Sequence, residues 1–259
     1  MSQPSNILTV MEEPAPARVA ARRWTVQLLG LLLGPVLVYG VLIYRSLHST
    51  GGGGSGWGSP WYWLYATAYY AVGFAGWLFL IYRFVCRQPL ARLNRRPGSF
   101  RSDLLAGLLL LAALLVLCRA FYWVQCTIFP LESSGSVEEI HSQAAVNPWS
   151  VLMVVGPYSF LAAGMMEEFN RVFLLERAWA LWPGQVSAAV MIALSTLLFG
   201  LCHCYQGLIG VVNTAFFGLL LALYYYRFGR ILPMIIAHGF YSAWVTVEGM
   251  LWVVAYGQR

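Results

Sequence analysis

The chain has 259 residues, of which 59% are hydrophobic and 10% charged, with a net charge of +6. Water-soluble domains carry about 25% charged residues, so a soluble globular domain is excluded. All 16 basic residues are Arg, set between apolar runs rather than interleaved with aromatics in a patch, which excludes a nucleic-acid partner and fits charge placed in the loops of a membrane protein. The apolar runs are continuous and approach the ~20 residues that cross a bilayer as a helix. They lack the alternation of barrel strands, and helices satisfy their own backbone groups in lipid. The expected fold is all-α, a polytopic transmembrane helical bundle of seven to eight membrane segments, with the bilayer itself as a partner.

Residues 1–22 are polar with Pro14 and Pro16 and read as a disordered cytoplasmic tail. Arg18, Arg22 and Arg23 precede the first apolar run, Trp24 to Tyr44, with no small-residue cleavage site clearly following. The reading is an uncleaved span with its N-terminus in the cytoplasm. A Gly-rich loop, Gly51 to Gly56, leads to Trp57, Trp61, Tyr62 and Trp63, interfacial aromatics that open a second span ending near Tyr82. The segment 83–101 carries six Arg residues and reads as a plain cytoplasmic loop. The third span is Leu104 to about Ile128, and Arg119 inside it should snorkel or meet a carboxylate. The stretch Pro130 to Pro148, with Glu132, Glu138 and Glu139 and no basic residue, reads as a loop on the opposite face.

Trp149 to Trp182 is too long for one straight span and is interrupted by Gly156-Pro157, so a kinked or broken helix is expected. Pro183-Gly184 marks a turn. Helices follow over Val186 to Tyr205, Gly207 to about Arg227 and Ile231 to Tyr256. The five cysteines are odd in number and lie mostly within apolar runs, as small hydrophobes rather than a disulfide framework.

Charged residues at membrane depth are expensive and point to function. They are Glu167, Glu168 and Arg171 in one apolar stretch, followed by His203 and His238 in two others. Glu167 lies 18 residues before Gln185 and His203 lies 18 after it, so a reversal at Pro183-Gly184 sets both about 27 Å from the turn at 1.5 Å per residue. Arg171 is three and four residues from the two carboxylates, both contact spacings. Two adjacent carboxylates, one held by Arg, beside a His, form a candidate general base for water. Plainer readings exist for each residue: a Glu–Arg pair that limits desolvation, and a His that joins helices. Cys202 and Cys204 flank His203 at a spacing that shares no helix face, against a thiolate metal site.

Together these residues resemble the CPBP family, the CAAX-protease and bacteriocin-processing group also called abortive-infection proteins. Its pattern is Glu-Glu-x-x-x-Arg, then Phe-x-x-x-His, then His-x-x-x-Asn, each in a transmembrane helix. Here Phe199-Gly200-Leu201-Cys202-His203 resembles the second motif, and Arg227 to Pro233 resembles the approach to the third at His238. The similarity covers about residues 150–250. Two departures are visible. The first motif, Glu167-Glu168-Phe169-Asn170-Arg171, has one residue fewer before Arg, so aligning on Arg171 puts Met166 and Glu167 in the two Glu slots. Ser242 stands where the third motif has Asn.

The resemblance implies an intramembrane endopeptidase in a prokaryotic cytoplasmic membrane, acting on a membrane-associated or lipidated peptide or protein. It divides the chain into N-terminal transmembrane helices at 23–145 and a CPBP-like catalytic core at 146–256. Glu167, or the Glu167/Glu168 pair, would activate water with His203. His238, with Ser242, would stabilise the oxyanion, and Arg171 would orient the carboxylates. No cofactor is expected; the alternative is zinc on Glu167, His203 and His238. The competing functions are a non-catalytic relative serving as a scaffold or immunity protein, and a small proton-coupled transporter.

Overall fold

The computed structural model describes residues 57–85, 93–96, 98–128 and 135–256. The expected tail, first span and Gly-rich loop lie outside them. The described residues form helices and no strand. In chain order these are α1 (Pro60–Ala68), running through wide-turn π stretches at Tyr69–Phe74 and Ile81–Val85 on either side of α2 (Ala75–Leu80). Then come α3 (Phe100–Ile128), α4 (Gly135–Ala145) and α5 (Pro148–Met153). α5 continues as a π stretch, Val154–Glu167, into α6 (Glu168–Leu181). The chain ends with α7 (Gln185–Leu201), a 3-10 turn at Cys204–Gln206, α8 (Gly207–Phe228) and α9 (Leu232–Tyr256).

Among the described residues three helical runs are long and apolar enough to cross a membrane, Phe100–Ile128, Pro148–Ala180 and Cys204–Phe228, and α7 is a shorter apolar helix. Their outward faces are apolar: Leu105, Leu109, Val116 and Trp123 of α3 are exposed. Such a surface belongs in lipid, and the protein is an integral membrane protein.

One expectation is corrected and one is narrowed. The stretch 130–148 is not all loop, because 135–145 is helical. Its Val137, Ile140, His141 and Ala144 recur at helical spacing and turn inward, while Glu138 and Glu139 are exposed. Asn147 then caps α5, accepting from Trp149 N at 3.0 Å. The run 148–181, expected to be kinked or broken, is not broken at Pro157. It stays helical by widening its winding through Val154–Glu167, with Pro157 inside that stretch. Proline removes one donor and crowds the preceding turn, and a change of winding is one way of accommodating both.

The helices meet where side chains are smallest. A Cβ on Gly164 would lie 2.9 Å from Gly239 N and Ile235 O, so the π stretch and α9 touch backbone to backbone. A Cβ on Gly200 would lie 2.8 Å from Val211 O and from the Ala215 side chain, which sets α7 on α8. A Cβ on Gly107 would meet Ile236 at 2.9 Å, which sets α3 on α9. Lipid offers no hydrophobic incentive for helices to associate, so such approaches supply the packing. Twelve residues beyond that last contact on both helices, Arg119 pairs with Glu248, so α3 and α9 run parallel and Arg119 has its carboxylate.

Two buried clusters result. The larger joins α3, α6, α7, α8 and α9 around Leu114, Phe173, Leu221 and Met234. The smaller joins α1, α4, α5 and α9 around Trp63, Ala144, Val154 and Met250. Ser150 Oγ donates to Gly58 O at 2.8 Å and Trp63 Nε1 to Trp57 O at 2.7 Å, fixing the start of α1.

The segment expected as a plain loop is tied to the bundle where it is described. Leu93 is buried and its carbonyl lies 2.8 Å from the Tyr225 hydroxyl. Arg95 pairs with Glu176 at 2.7 Å and lies over the Trp179 and Tyr225 rings. Arg96 N donates to Gly229 O at 3.3 Å. Gly229, at φ +63°, closes α8 in the left-handed conformation that favours glycine.

Gly164→Val should wedge the π stretch from α9, costing about 1–3 kcal/mol as overpacking. Thermal unfolding in detergent should show a clear loss of melting temperature, and Gly164→Ala a smaller one. His141 of α4 lies against Gly249 of α9, and burial lowers its pKa below the ordinary 6.5. The unfolded chain then binds the proton more readily than the folded one. Stability from this site is therefore full above about pH 6.5 and falls as pH drops toward the lowered folded value. Protection factors of α4 amides should decrease between about pH 7 and about pH 5, and His141→Leu should flatten that dependence.

Candidate active site

α6 opens on the two carboxylates, and they face different surroundings. Glu168 is fully buried. Its Oε1 is 2.7 Å from His238 Nδ1 and its Oε2 3.1 Å from Arg171 Nε. Arg171, three residues along the same helix, is itself buried and donates from a terminal nitrogen to Gly218 O on α8 at 2.6 Å. Its guanidinium lies over the Phe199 ring, 4.1 Å from the centroid. Gly218 is small for this reason: a Cβ there would be 2.9 Å from the Arg171 nitrogen and 2.8 Å from the Phe199 ring.

Glu167 is partly open, with 20% of its side chain exposed, and its Oε2 lies 3.7 Å from His238 Nε2. That oxygen is itself buried and, among the described residues, has no direct hydrogen-bond partner. The His238 imidazole thus stands between two carboxylates, with Nδ1 directed to Glu168 and Nε2 toward Glu167. A gap of 3.7 Å is wide for a direct hydrogen bond and is the kind of separation a bridging water spans.

His203 follows the end of α7 in a short turn. Its Nδ1 is 2.9 Å from Phe199 O. A carbonyl only accepts, so Nδ1 carries the proton and Nε2 presents a lone pair. Its ring lies 4.9 Å from that of Phe199, which in turn lies 6.1 Å from that of His238. Phe199 therefore touches Arg171 and neighbours both histidines. In the sequence it is one residue of the Phe-x-x-x-His motif; in the structure it is the common spacer of the cluster, a role visible only once three helices are in place.

The structure brings Glu167, Glu168, Arg171 and His238 into one constellation, with His203 joined through Phe199. Ser242 is half-buried one turn beyond His238 on α9. Met166, which takes a Glu slot when the motif is aligned on Arg171, is buried in the larger apolar cluster. It is Glu168 that Arg171 holds, across three residues. The family's longer spacing puts these two groups four apart, and both separations lie on one helix face. Among the described residues no three His, Cys, Asp or Glu side chains are grouped so as to hold a metal.

The carboxylates should separate on mutation. Glu168→Ala leaves Arg171 buried without its anion and should cost about 3–5 kcal/mol of stability. Glu167→Gln should leave the melting temperature nearly unchanged. Thermal unfolding of the two purified variants measures the difference.

Comparison with curated proteins and with solved structures gave no match. Residues 148–244 match the family model described as type II CAAX prenyl endopeptidase Rce1-like. That segment contains Glu167, Glu168, Arg171, His203, His238 and Ser242. Through it the chain carries an Rce1-like segment, consistent with the CPBP family that its three motifs resemble.

Proposed function

We propose that the protein is an intramembrane endopeptidase that hydrolyses a peptide bond near the lipidated C-terminus of a membrane-bound substrate, as the description of the matched family suggests. The observation that carries this reading is the pair of carboxylates on either side of His238, one locked by Arg171 and the other partly open. The catalytic core is the segment 146–256, and α1, α3 and α4 from the preceding part of the chain pack against it. Arg95, Arg96, Arg227 and Arg230 gather at one end of the bundle, and that end faces the cytoplasm.

In this mechanism Glu167 takes a proton from a water molecule, assisted by the free Nε2 of His203. The water oxygen adds to the scissile carbonyl carbon, and the carbonyl oxygen becomes an oxyanion. His238, its Nδ1–H held by Glu168, directs an Nε2–H to that oxyanion, with Ser242 as a second donor. The C–N bond then breaks, and the amine leaves with the proton that Glu167 took up. Arg171 holds Glu168 in place, so His238 keeps its orientation. Zinc on Glu167, His203 and His238 is the alternative, and no step here passes through it.

The test is cleavage of a farnesylated C-terminal peptide by the purified protein in detergent. Glu167→Gln and His203→Ala should each lower turnover at least about 100-fold, the scale of general-base catalysis. Full activity in either would sink the mechanism. Activity should also survive a strong chelator; loss on chelation with recovery on added zinc would favour the metal reading.

A further inference from the structure

Glu167 has a second set of neighbours, part of it from outside the family segment. The π stretch Val154–Glu167 closes i→i+5 hydrogen bonds and takes about 4.4 residues per turn, so nine residues make about two whole turns. Tyr158 and Glu167 therefore share one face of this run. In ordinary α winding, about 3.6 residues per turn, nine residues make two and a half turns and the two would point opposite ways. On that face the Tyr158 ring meets Trp63 at 5.1 Å and Tyr70 at 6.2 Å between centroids, both edge-on. Tyr70 lies in the π stretch Tyr69–Phe74 that extends α1. Tyr70 and Tyr158 both lie within electrostatic reach of the Glu167 carboxylate.

Both tyrosines are half-buried, and each is held through its ring, edge-on to an aromatic neighbour. Phenol hydroxyls in an apolar setting call for acceptors, because leaving them unmet costs free energy. A hydrocarbon chain supplies none. A peptide segment in extended form supplies a carbonyl at every residue.

We propose that Tyr70 and Tyr158 form the wall that binds the peptide part of the substrate, donating hydrogen bonds to its backbone carbonyls beside Glu167, so that the helix preceding the family segment completes the site. The proposal rests on the endopeptidase reading and assigns substrate binding to residues that reading does not use. The substrate's peptide end is held against α1, and its apolar anchor lies elsewhere.

The test uses the full-length protein in detergent with a farnesylated peptide and the variants Tyr70→Phe, Tyr158→Phe and both together, which remove only the hydroxyls. The double variant should raise KM about tenfold, with kcat changed far less and the melting temperature kept. If the parent cleaves the peptide and the double variant matches its KM, the wall is refuted while the endopeptidase reading stands. A second readout needs no turnover. Glu167→Gln protein is photolabelled with a farnesylated peptide carrying a benzophenone side chain in its peptide part. Label should fall within residues 57–85, yield to unlabelled peptide, and decrease in the double variant. Label confined to α8 and α9 overturns the proposal whether or not the parent shows cleavage.

Discussion

The arrangement depends on one buried ion pair. Glu168 and Arg171 sit together where water does not reach, and neither is tolerable there alone. Burying a charge costs several kcal/mol, which the partner's field and further hydrogen bonds must offset. The structure supplies those further contacts from three directions: His238 from α9, the Gly218 carbonyl from α8, and the Phe199 face from α7. Satisfying the pair thus fixes the relative positions of four helices. It also separates two adjacent carboxylates by role, since Glu168 is committed to this lock and Glu167 is left partly open beside it.

The glycines make the lock reachable. Gly164 lies one helical turn before Glu168, and Gly239 directly follows His238. Because these two backbones touch, the side chains beside them are held within hydrogen-bonding distance. Gly218 does the same for Arg171 and Phe199. In a membrane, where apolar burial gives helices little reason to associate, positioning depends on such contacts and on the polar interactions they allow. The segment Leu93–Arg96 adds a tie at one end, through Tyr225 and the Arg95–Glu176 pair.

Much of this was legible in the sequence. The periods and breaks of α7, α8 and α9 were readable because glycine and proline mark their ends. The polar residues stood out because they interrupt apolar runs, and the need of Arg119 for a carboxylate followed from its depth. Other features were not legible. α4 is short and polar, so its inward face of Val137, Ile140, His141 and Ala144 carries too little apolar signal to distinguish it from a loop. The winding of Val154–Glu167 has no residue signature beyond Pro157. Phe199 looks like any core aromatic until Arg171, His203 and His238 are placed around it. The docking of Leu93–Arg96 depends on partners more than 80 residues away.

The wide winding before Glu168 has a consequence for how this helix tolerates changes of length. Deleting one residue from a rigid α-helix rotates everything beyond the deletion by about 100°. A run that can exchange narrow turns for wide ones holds a reserve of rotation. It can absorb a missing or added residue locally, and the far end keeps its heading. The shortened Glu-Glu-x-x-Arg motif begins where such a run ends. A chain built this way can drift in motif spacing while its charged side chains still arrive at the same place.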